Sequence, residues 1–231
     1  MICMAKRLWL YFDSILRPAF LVAACLVFLF AEFEAAMTSA GSANDSIVVT
    51  QVVGGELSIS QPADVTMSSA IPGITGNPGS PRTGSATWTV ITSNTSGFYL
   101  TLKSSTNPSM QLDATYNFSD YSPASAGVPD YTWASPASSA AEFGYTVEPE
   151  TAADTSTKFK DNGSACNTGS LNTANRCWYN MSTTDQTVIE RSSNTDTGGE
   201  DEVVRFQTES NGKYLKEGDY IATITATATE N

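Results

Sequence analysis

The C-terminal stretch Asp219-Tyr220-Ile221-Ala222-Thr223-Ile224-Thr225-Ala226-Thr227-Ala228 decides the fold class of this chain. From Ala222 onward, alanine and isoleucine alternate with threonine, and this period of two is expected of a strand with one buried face. Gly218 directly precedes the stretch and supplies a turn from which a strand can begin. We therefore predict a half-buried strand at the C-terminus.

The rest of the chain repeats this kind of pattern in short pieces. β-Branched or aromatic residues, bounded by turn residues, predict strands over Ser46–Val53, Glu56–Ser60, Ser85–Thr92, Phe98–Lys103, Glu142–Val147, Thr187–Glu190 and Glu202–Thr208. The turn Ser93–Gly97 between the third and fourth of these segments predicts that they form a β-hairpin. No segment carries a long apolar pattern of helical period.

Many short strands with few helix-forming segments predict an all-β fold. We expect an antiparallel β-sandwich of immunoglobulin-like or jelly-roll type, with residues 44–231 as a single domain. A barrel is the structural alternative. The Cys-Trp-Cys spacing of antibody domains is absent from the sequence.

The first 40 residues have the layout of a secretion signal. Lys6, Arg7 and Arg17 provide positive charge, the apolar run Ala19–Ala31 follows, and small residues around Ala40 come last. The apolar run is shorter than the roughly 20 residues that a membrane span requires. We expect cleavage and a secreted or cell-surface protein, with an uncleaved signal as the route to membrane attachment.

Charge and composition restrict the function. The chain has 12 Lys and Arg residues, 24 Asp and Glu residues and no histidine, and its net charge is −12. An excess of negative charge opposes binding to nucleic acids and to anionic membranes. The absence of histidine removes the commonest general base and transition-metal ligand. We expect a protein that is not an enzyme.

Two cysteines predict a disulfide. Cys3 and Cys25 lie in the predicted signal, so the exported chain keeps Cys166 and Cys177. An even pair in an exported protein is typical of a disulfide, and closing this short loop contributes about 3 kcal/mol to stability. Two cysteines without histidine cannot complete a typical structural zinc site.

Acidic and aromatic residues provide the candidate binding sites. Asp196, Glu200, Asp201 and Glu202 form a carboxylate-rich turn whose hard oxygens suit calcium, the candidate ion if the protein has any cofactor. A smaller acidic patch, Asp161–Ser164, lies near the predicted disulfide. Neither segment has the spacing of an EF-hand.

Aromatic and paired acidic side chains give two further candidates. Trp133, Trp178 and Tyr179 fall in loop-like segments, where aromatic rings can stack on sugars. Glu148 and Glu150 are the candidate carboxylate pair for a glycoside hydrolase.

The segments Ala86–Leu102 and Gly218–Ala228 resemble exported β-sandwich proteins of bacterial envelopes. The likeness is closest to secreted proteins without a defined role, and looser to WxL-type wall-binding domains and camelysin/TasA-like matrix proteins. Trp88-Thr89-Val90 departs from Trp-x-Leu. The resemblance implies a structural or adhesive surface or matrix protein whose partners are envelope or matrix components or further copies of itself. The alternative is a carbohydrate-binding module, with or without calcium.

Overall fold

The computed structural model describes residues 46–67 and 69–231. The predicted secretion signal, residues 1–40, and its two cysteines lie outside these residues. Residues 53–231 form one compact unit, and the described residues 46–52 fall outside that unit.

The described residues are nearly all-β, as the sequence predicts. The strands are β1 Leu57–Ile59, β2 Arg82–Thr92, β3 Phe98–Ser104, β4 Met110–Gln111, β5 Asn117–Asp120, β6 Ala140–Pro149, β7 Tyr179–Asn180, β8 Gln186–Arg191, β9 Glu200–Asn211 and β10 Ile224–Glu230. Two single-turn 3₁₀ helices, Ala152–Asp154 and Thr157–Phe159, lie between β6 and β7.

The strands form two sheets. The larger sheet has the order β1-β2-β9-β6-β5-β4, and β7 also pairs with β6. The smaller sheet has the order β10-β3-β8. Pairing is antiparallel except between β5 and β6, which run parallel with Ser119 opposite Glu142. The long strands β2, β6 and β9 form the centre of the larger sheet.

Both sheets contribute to one hydrophobic core. In β3, Phe98, Leu100 and Leu102 are fully buried, while the intervening Tyr99 and Thr101 are not, as the alternating pattern requires. The remaining strand residues of the core are Ala86, Trp88, Val90, Phe118, Ala141, Phe143, Tyr145, Val147, Tyr179, Val188, Ile189, Val204 and Phe206. Burial of this set is the main driving force of the fold.

The predicted hairpin is wrong, although both of its strands exist. β2 pairs with β1 and β9 in the larger sheet, whereas β3 pairs with β10 and β8 in the smaller sheet. The connection Ser93–Gly97 therefore carries the chain from one sheet to the other. Gly97 adopts a φ of +83° and donates its N–H to the Asn94 carbonyl oxygen. A Cβ at Gly97 would lie 2.1 Å from the Arg191 carbonyl oxygen, so a side chain does not fit there.

Two other predicted strands also differ from the structure. The segment Ser46–Val53 forms no strand, because a strand needs a hydrogen-bonded neighbour and none of the described strands pairs with it. The C-terminal strand begins at Ile224 rather than near Asp219. Ile221 makes only an isolated bridge to Gln111 of β4.

Candidate functional site

The disulfide is confirmed. Cys166 and Cys177 are bonded, with a Cα–Cα distance of 5.6 Å and a sequence separation of 11 residues. Both cysteines are buried, so the disulfide packs against the core and is shielded from solvent.

Asp161 organises the loop that the disulfide closes. Its carboxylate is fully buried and accepts hydrogen bonds from Gly163 N at 2.7 Å, Thr173 N at 2.7 Å and Thr173 Oγ1 at 3.0 Å. Buried carboxylates need such donors, because an unpaired buried charge is strongly unfavourable. The carboxylate of the predicted acidic patch at 161–164 thus already has protein partners.

The four predicted calcium ligands do not share one environment in the structure. Asp196 Oδ1 accepts hydrogen bonds from Gly198 N at 2.7 Å and Gly199 N at 3.0 Å, which caps a turn. Asp201 Oδ1 accepts a hydrogen bond from Thr89 Oγ1 at 2.6 Å. Among the described residues, no group of three or more Asp, Glu, Cys or His side chains is arranged to hold a metal ion. Calcium binding here stays a prediction.

Glu200 belongs instead to an ion-pair network between the sheets. Arg191 of β8 lies with Nη1 2.6 Å from Glu200 Oε1 and 2.6 Å from Asp154 Oδ2. Thr151 Oγ1 donates to the other Glu200 oxygen at 3.1 Å. These charged side chains are mostly buried, so solvent screens them less than an exposed pair. Arg191 thereby ties the smaller sheet to β9 of the larger sheet.

Glu202 is the least satisfied carboxylate of the predicted calcium turn. It lies opposite Trp88 on β2 and is only 2 % exposed. Its Oε2 atom has no hydrogen-bond partner among the described residues. Burial raises the pKa of Glu202 to about 8, and the nearby charges of Glu200 and Asp154 contribute in the same direction.

The predicted sugar platform is largely internal. Trp178 and Tyr179 are 2 % and 7 % exposed, so their rings lie inside the protein. Trp133 is half-buried; it stacks on Tyr121 with ring centroids 4.4 Å apart and meets Trp178 edge-to-face at 5.5 Å. Tyr121 and Trp133 cover Gly144 of β6, where a Cβ would lie 2.7 Å from Tyr121 Cβ and 3.0 Å from Trp133 Cζ3. A ligand-binding role for Trp133, Trp178 and Tyr179 stays a prediction, without support from their burial.

A buried carboxylate beneath these rings was not among the predicted sites. Glu209 of β9 is fully buried; it accepts hydrogen bonds from Trp133 Nε1 at 2.7 Å and from Gly79 N at 2.5 Å. Glu142 lies opposite Glu209 on β6, and burial raises its pKa, with Glu209 contributing in the same direction. Glu209 therefore anchors two loops to the sheet. Nothing local in the sequence distinguishes it from the many surface acids.

The two carboxylates of the candidate hydrolase pair both have partners within the protein. Glu148 Oε2 lies 2.7 Å from Arg205 Nε, and Glu148 Oε1 accepts a hydrogen bond from Asn175 N at 2.7 Å. Glu150 accepts a hydrogen bond from Asp201 N at 3.3 Å. Each carboxylate thus positions neighbouring chain segments.

A further group of tyrosines, one exposed and two partly buried, lies at a different place. Tyr214 is 61 % exposed and meets Tyr116 at a centroid distance of 6.0 Å and an interplanar angle of 69°. Tyr220 packs edge-on against the buried Phe118 at 5.4 Å. Tyr116 and Tyr214 are far apart in the sequence, so only the fold brings them together. We call Tyr116, Tyr214 and Tyr220 the tyrosine patch.

A second exposed feature is apolar. Ile47, Val48, Val49, Val52 and Val53 are all more than 80 % exposed. Isolated apolar side chains are common on protein surfaces, whereas a run of exposed apolar side chains is less common.

Comparisons of the chain with protein-family models, curated proteins and solved structures found no significant match. Within residues 46–67 and 69–231, no helix is long and apolar enough to cross a membrane.

Proposed function

We propose that this protein is an exported structural or adhesive component of the cell surface or extracellular matrix. In this proposal its two sheets pack as a β-sandwich, and copies associate when the segment Ile47–Val53 of one copy adds as a strand to β10 of the next. The predicted secretion signal and the disulfide support the extracellular location, since structural disulfides persist in oxidising compartments. The proposed partners are further copies of the chain and other envelope or matrix components.

The observation that carries the proposal is the unpaired edge of β10. This strand pairs with β3 on one side and with no described strand on the other. Ile224, Ala226 and Ala228 pack against the core yet remain partly exposed. An edge strand normally resists association by means of lysine, proline or a bulge. β10 has none of these, and its one charged residue is the terminal Glu230.

The other edge of the smaller sheet is partly covered. Ser156 N donates to the Val188 carbonyl oxygen of β8, and Thr155 bridges Ile189. In the larger sheet, the edge strands β1 and β4 have only three and two residues. β10 is therefore the longest edge strand in the described fold whose outer backbone pairs with no other strand, although β1 of the larger sheet lies near it.

The segment Ile47–Val53 has the properties of an added strand. It is rich in β-branched residues, which favour strand conformation, and its seven positions match the seven residues of β10. Strand addition provides main-chain hydrogen bonds and burial of alternate apolar side chains. Because each copy carries one donor segment and one acceptor edge, the contact does not close on itself and produces filaments.

The test compares chain 41–231 with its Val49→Asp/Val52→Asp variant. We expect concentration-dependent filaments in electron micrographs of the parent chain and a monomer by light scattering for the variant. Gln51→Glu is the matched control, because it adds a charge in the same segment without removing an apolar side chain. A monomeric parent chain, or filaments formed equally by the double aspartate variant, would contradict the proposal.

Cross-linking identifies the acceptor edge. A Val49→Cys chain is mixed with chains carrying a single cysteine at Thr225, Thr227 or Thr229 of β10. We expect intermolecular disulfides with at least one of these positions, and none with Thr187→Cys on β8. Cross-linking to β8 alone would assign a different acceptor.

A further inference from the structure

We propose that the tyrosine patch binds a neutral saccharide chain. The proposal does not depend on self-association, since it uses side chains on two loops rather than the backbone edge of β10. It also differs from the platform predicted from the sequence, because the described Trp178 and Tyr179 are buried whereas Tyr214 is 61 % exposed.

The loops that carry the patch are held together by backbone hydrogen bonds. In the first loop, between β4 and β5, Leu112 N and Asp113 N both donate to the Tyr116 carbonyl oxygen. In the second loop, Leu215 is buried, and its N–H donates to the Gly73 carbonyl oxygen at 2.7 Å. Gln111 and Ile221 exchange backbone hydrogen bonds of 3.1 and 3.0 Å, which join the two loops. A site formed in advance loses little conformational entropy on binding.

The tyrosine rings are oriented by specific contacts. Tyr220 donates its hydroxyl hydrogen to the Lys216 carbonyl oxygen at 3.0 Å, while its ring packs on Phe118. The Lys216 ammonium lies over the Tyr116 ring, 5.7 Å from its centroid. Tyr214 meets Tyr116 at a steep angle and exposes most of its surface. Tyrosine provides a rigid apolar surface with a polar tip at low entropic expense.

Hydrogen-bond donors and acceptors lie near the rings. Lys213 Nζ is held by the Asn117 carbonyl oxygen at 2.7 Å and by Asn117 Oδ1 at 3.1 Å. Asp113 Oδ1 accepts hydrogen bonds from Thr115 N at 2.8 Å and Tyr116 N at 2.9 Å; the bond from Tyr116 is the main cause that lowers the pKa of Asp113. Asp113 is therefore ionised at neutral pH and accepts hydrogen bonds. Lysine donors and an aspartate acceptor thus flank one aromatic surface.

This chemistry favours a neutral polyhydroxylated ligand. A sugar ring has an apolar C–H face that packs on an aromatic ring and hydroxyl groups that both donate and accept hydrogen bonds. Lys213 and Lys216 lie close in the sequence to Glu217 and Asp219, and Lys216 also acts on Asp113, so charges of both signs surround the patch. A polyanionic ligand would be attracted by the lysines and repelled by the acidic residues, and the reverse holds for a basic ligand. Charge therefore favours neither class of ligand.

The test measures binding of chain 41–231 to cellohexaose, chitohexaose and xylohexaose by calorimetry, together with co-sedimentation on cellulose, chitin and xylan. We expect saturable binding to at least one of these glycans. Tyr214→Ala should weaken it about tenfold, because it removes the most exposed ring of the patch. Tyr116→Ala should weaken it similarly, whereas Tyr99→Ala, which removes an exposed tyrosine from β3, should have no effect.

Circular dichroism and thermal unfolding of each variant distinguish a lost contact from a lost fold. Tyr214→Phe provides a second measure, since it keeps the ring and should retain most of the affinity. Failure to bind any of these glycans would overturn the proposal. Binding that survives Tyr214→Ala and Tyr116→Ala with the fold intact would also overturn it by assigning the saccharide to another surface.

Discussion

Substitution of Glu202 by glutamine should remove much of the pH dependence of stability above about pH 5. Glu202 is 2 % exposed, and its pKa rises from an ordinary value of 4.5 to about 8 because burial disfavours the charged form. The folded protein therefore holds the proton more tightly than the unfolded chain does. This contribution to stability is fully present below about pH 4.5 and declines as the pH rises. It is lost once the pH exceeds about 8.

The pKa values set the ceiling of the effect. The difference between 4.5 and about 8 corresponds to about 5 kcal/mol of stability lost across that interval. The value of about 8 already includes the opposing effect of Arg191, whose positive charge favours ionised Glu202. Rearrangement of Glu202 toward solvent at high pH would reduce the loss below this ceiling. We expect a measured decrease of about 2 to 4 kcal/mol.

Urea unfolding at constant ionic strength, at intervals from about pH 5 to about pH 9, measures this decrease. Glu202→Gln has nearly the same shape and no charge, so its free energy of unfolding should vary much less over the range. Glu217→Gln is the control, because it removes an exposed carboxylate from a loop and should keep the slope of the parent protein. Equal slopes for the parent and Glu202→Gln would refute the reasoning.

Two further substitutions test the loops that cover the sheet. The Cys166→Ala/Cys177→Ala variant should lose about 3 kcal/mol of unfolding free energy in urea, because opening an 11-residue separation restores chain entropy to the unfolded state; an unchanged midpoint would contradict this estimate. Glu209→Leu should cost about 3 kcal/mol, because it leaves Trp133 Nε1 and Gly79 N without their buried acceptor, and near-ultraviolet circular dichroism should report the altered Trp133 environment. Glu209→Gln keeps an acceptor oxygen and should cost less.

The sequence predicts the strands better than their pairing. Alternation in Phe98–Lys103 identifies β3, because a half-buried strand must alternate whatever its neighbours are. The same alternation occurs whether β2 and β3 form a hairpin or lie in different sheets. A five-residue turn is compatible with both arrangements, so the local pattern could not distinguish them. The difference lies in contacts to β9 and β8, which are distant in sequence.

Candidate sites were harder to predict for a related reason. In a chain with 24 acidic residues, Glu209 does not stand out, and Asp161 is predicted only as part of an acidic patch, although each is fully buried with hydrogen-bonded oxygens. Local clustering of carboxylates predicts a calcium site in the turn around Glu200, whose carboxylate is paired with Arg191 from another sheet. The tyrosine patch could not be predicted from local sequence, because its rings come from two segments that meet only in the fold.

Tyr220 is a poor choice for testing either proposal, because it lies both in the tyrosine patch and close to the acceptor strand β10. Tyr220 belongs to the tyrosine patch, packs on Phe118 of β5 and lies shortly before β10 begins at Ile224. Its removal would disturb both the patch and the start of the acceptor strand, so a loss of binding or of filaments would have two explanations. Tyr214 is farther from β10 in the sequence, and its ring contacts Tyr116. Tyr214→Ala should therefore leave filaments intact, and Val49→Asp/Val52→Asp should leave saccharide binding intact.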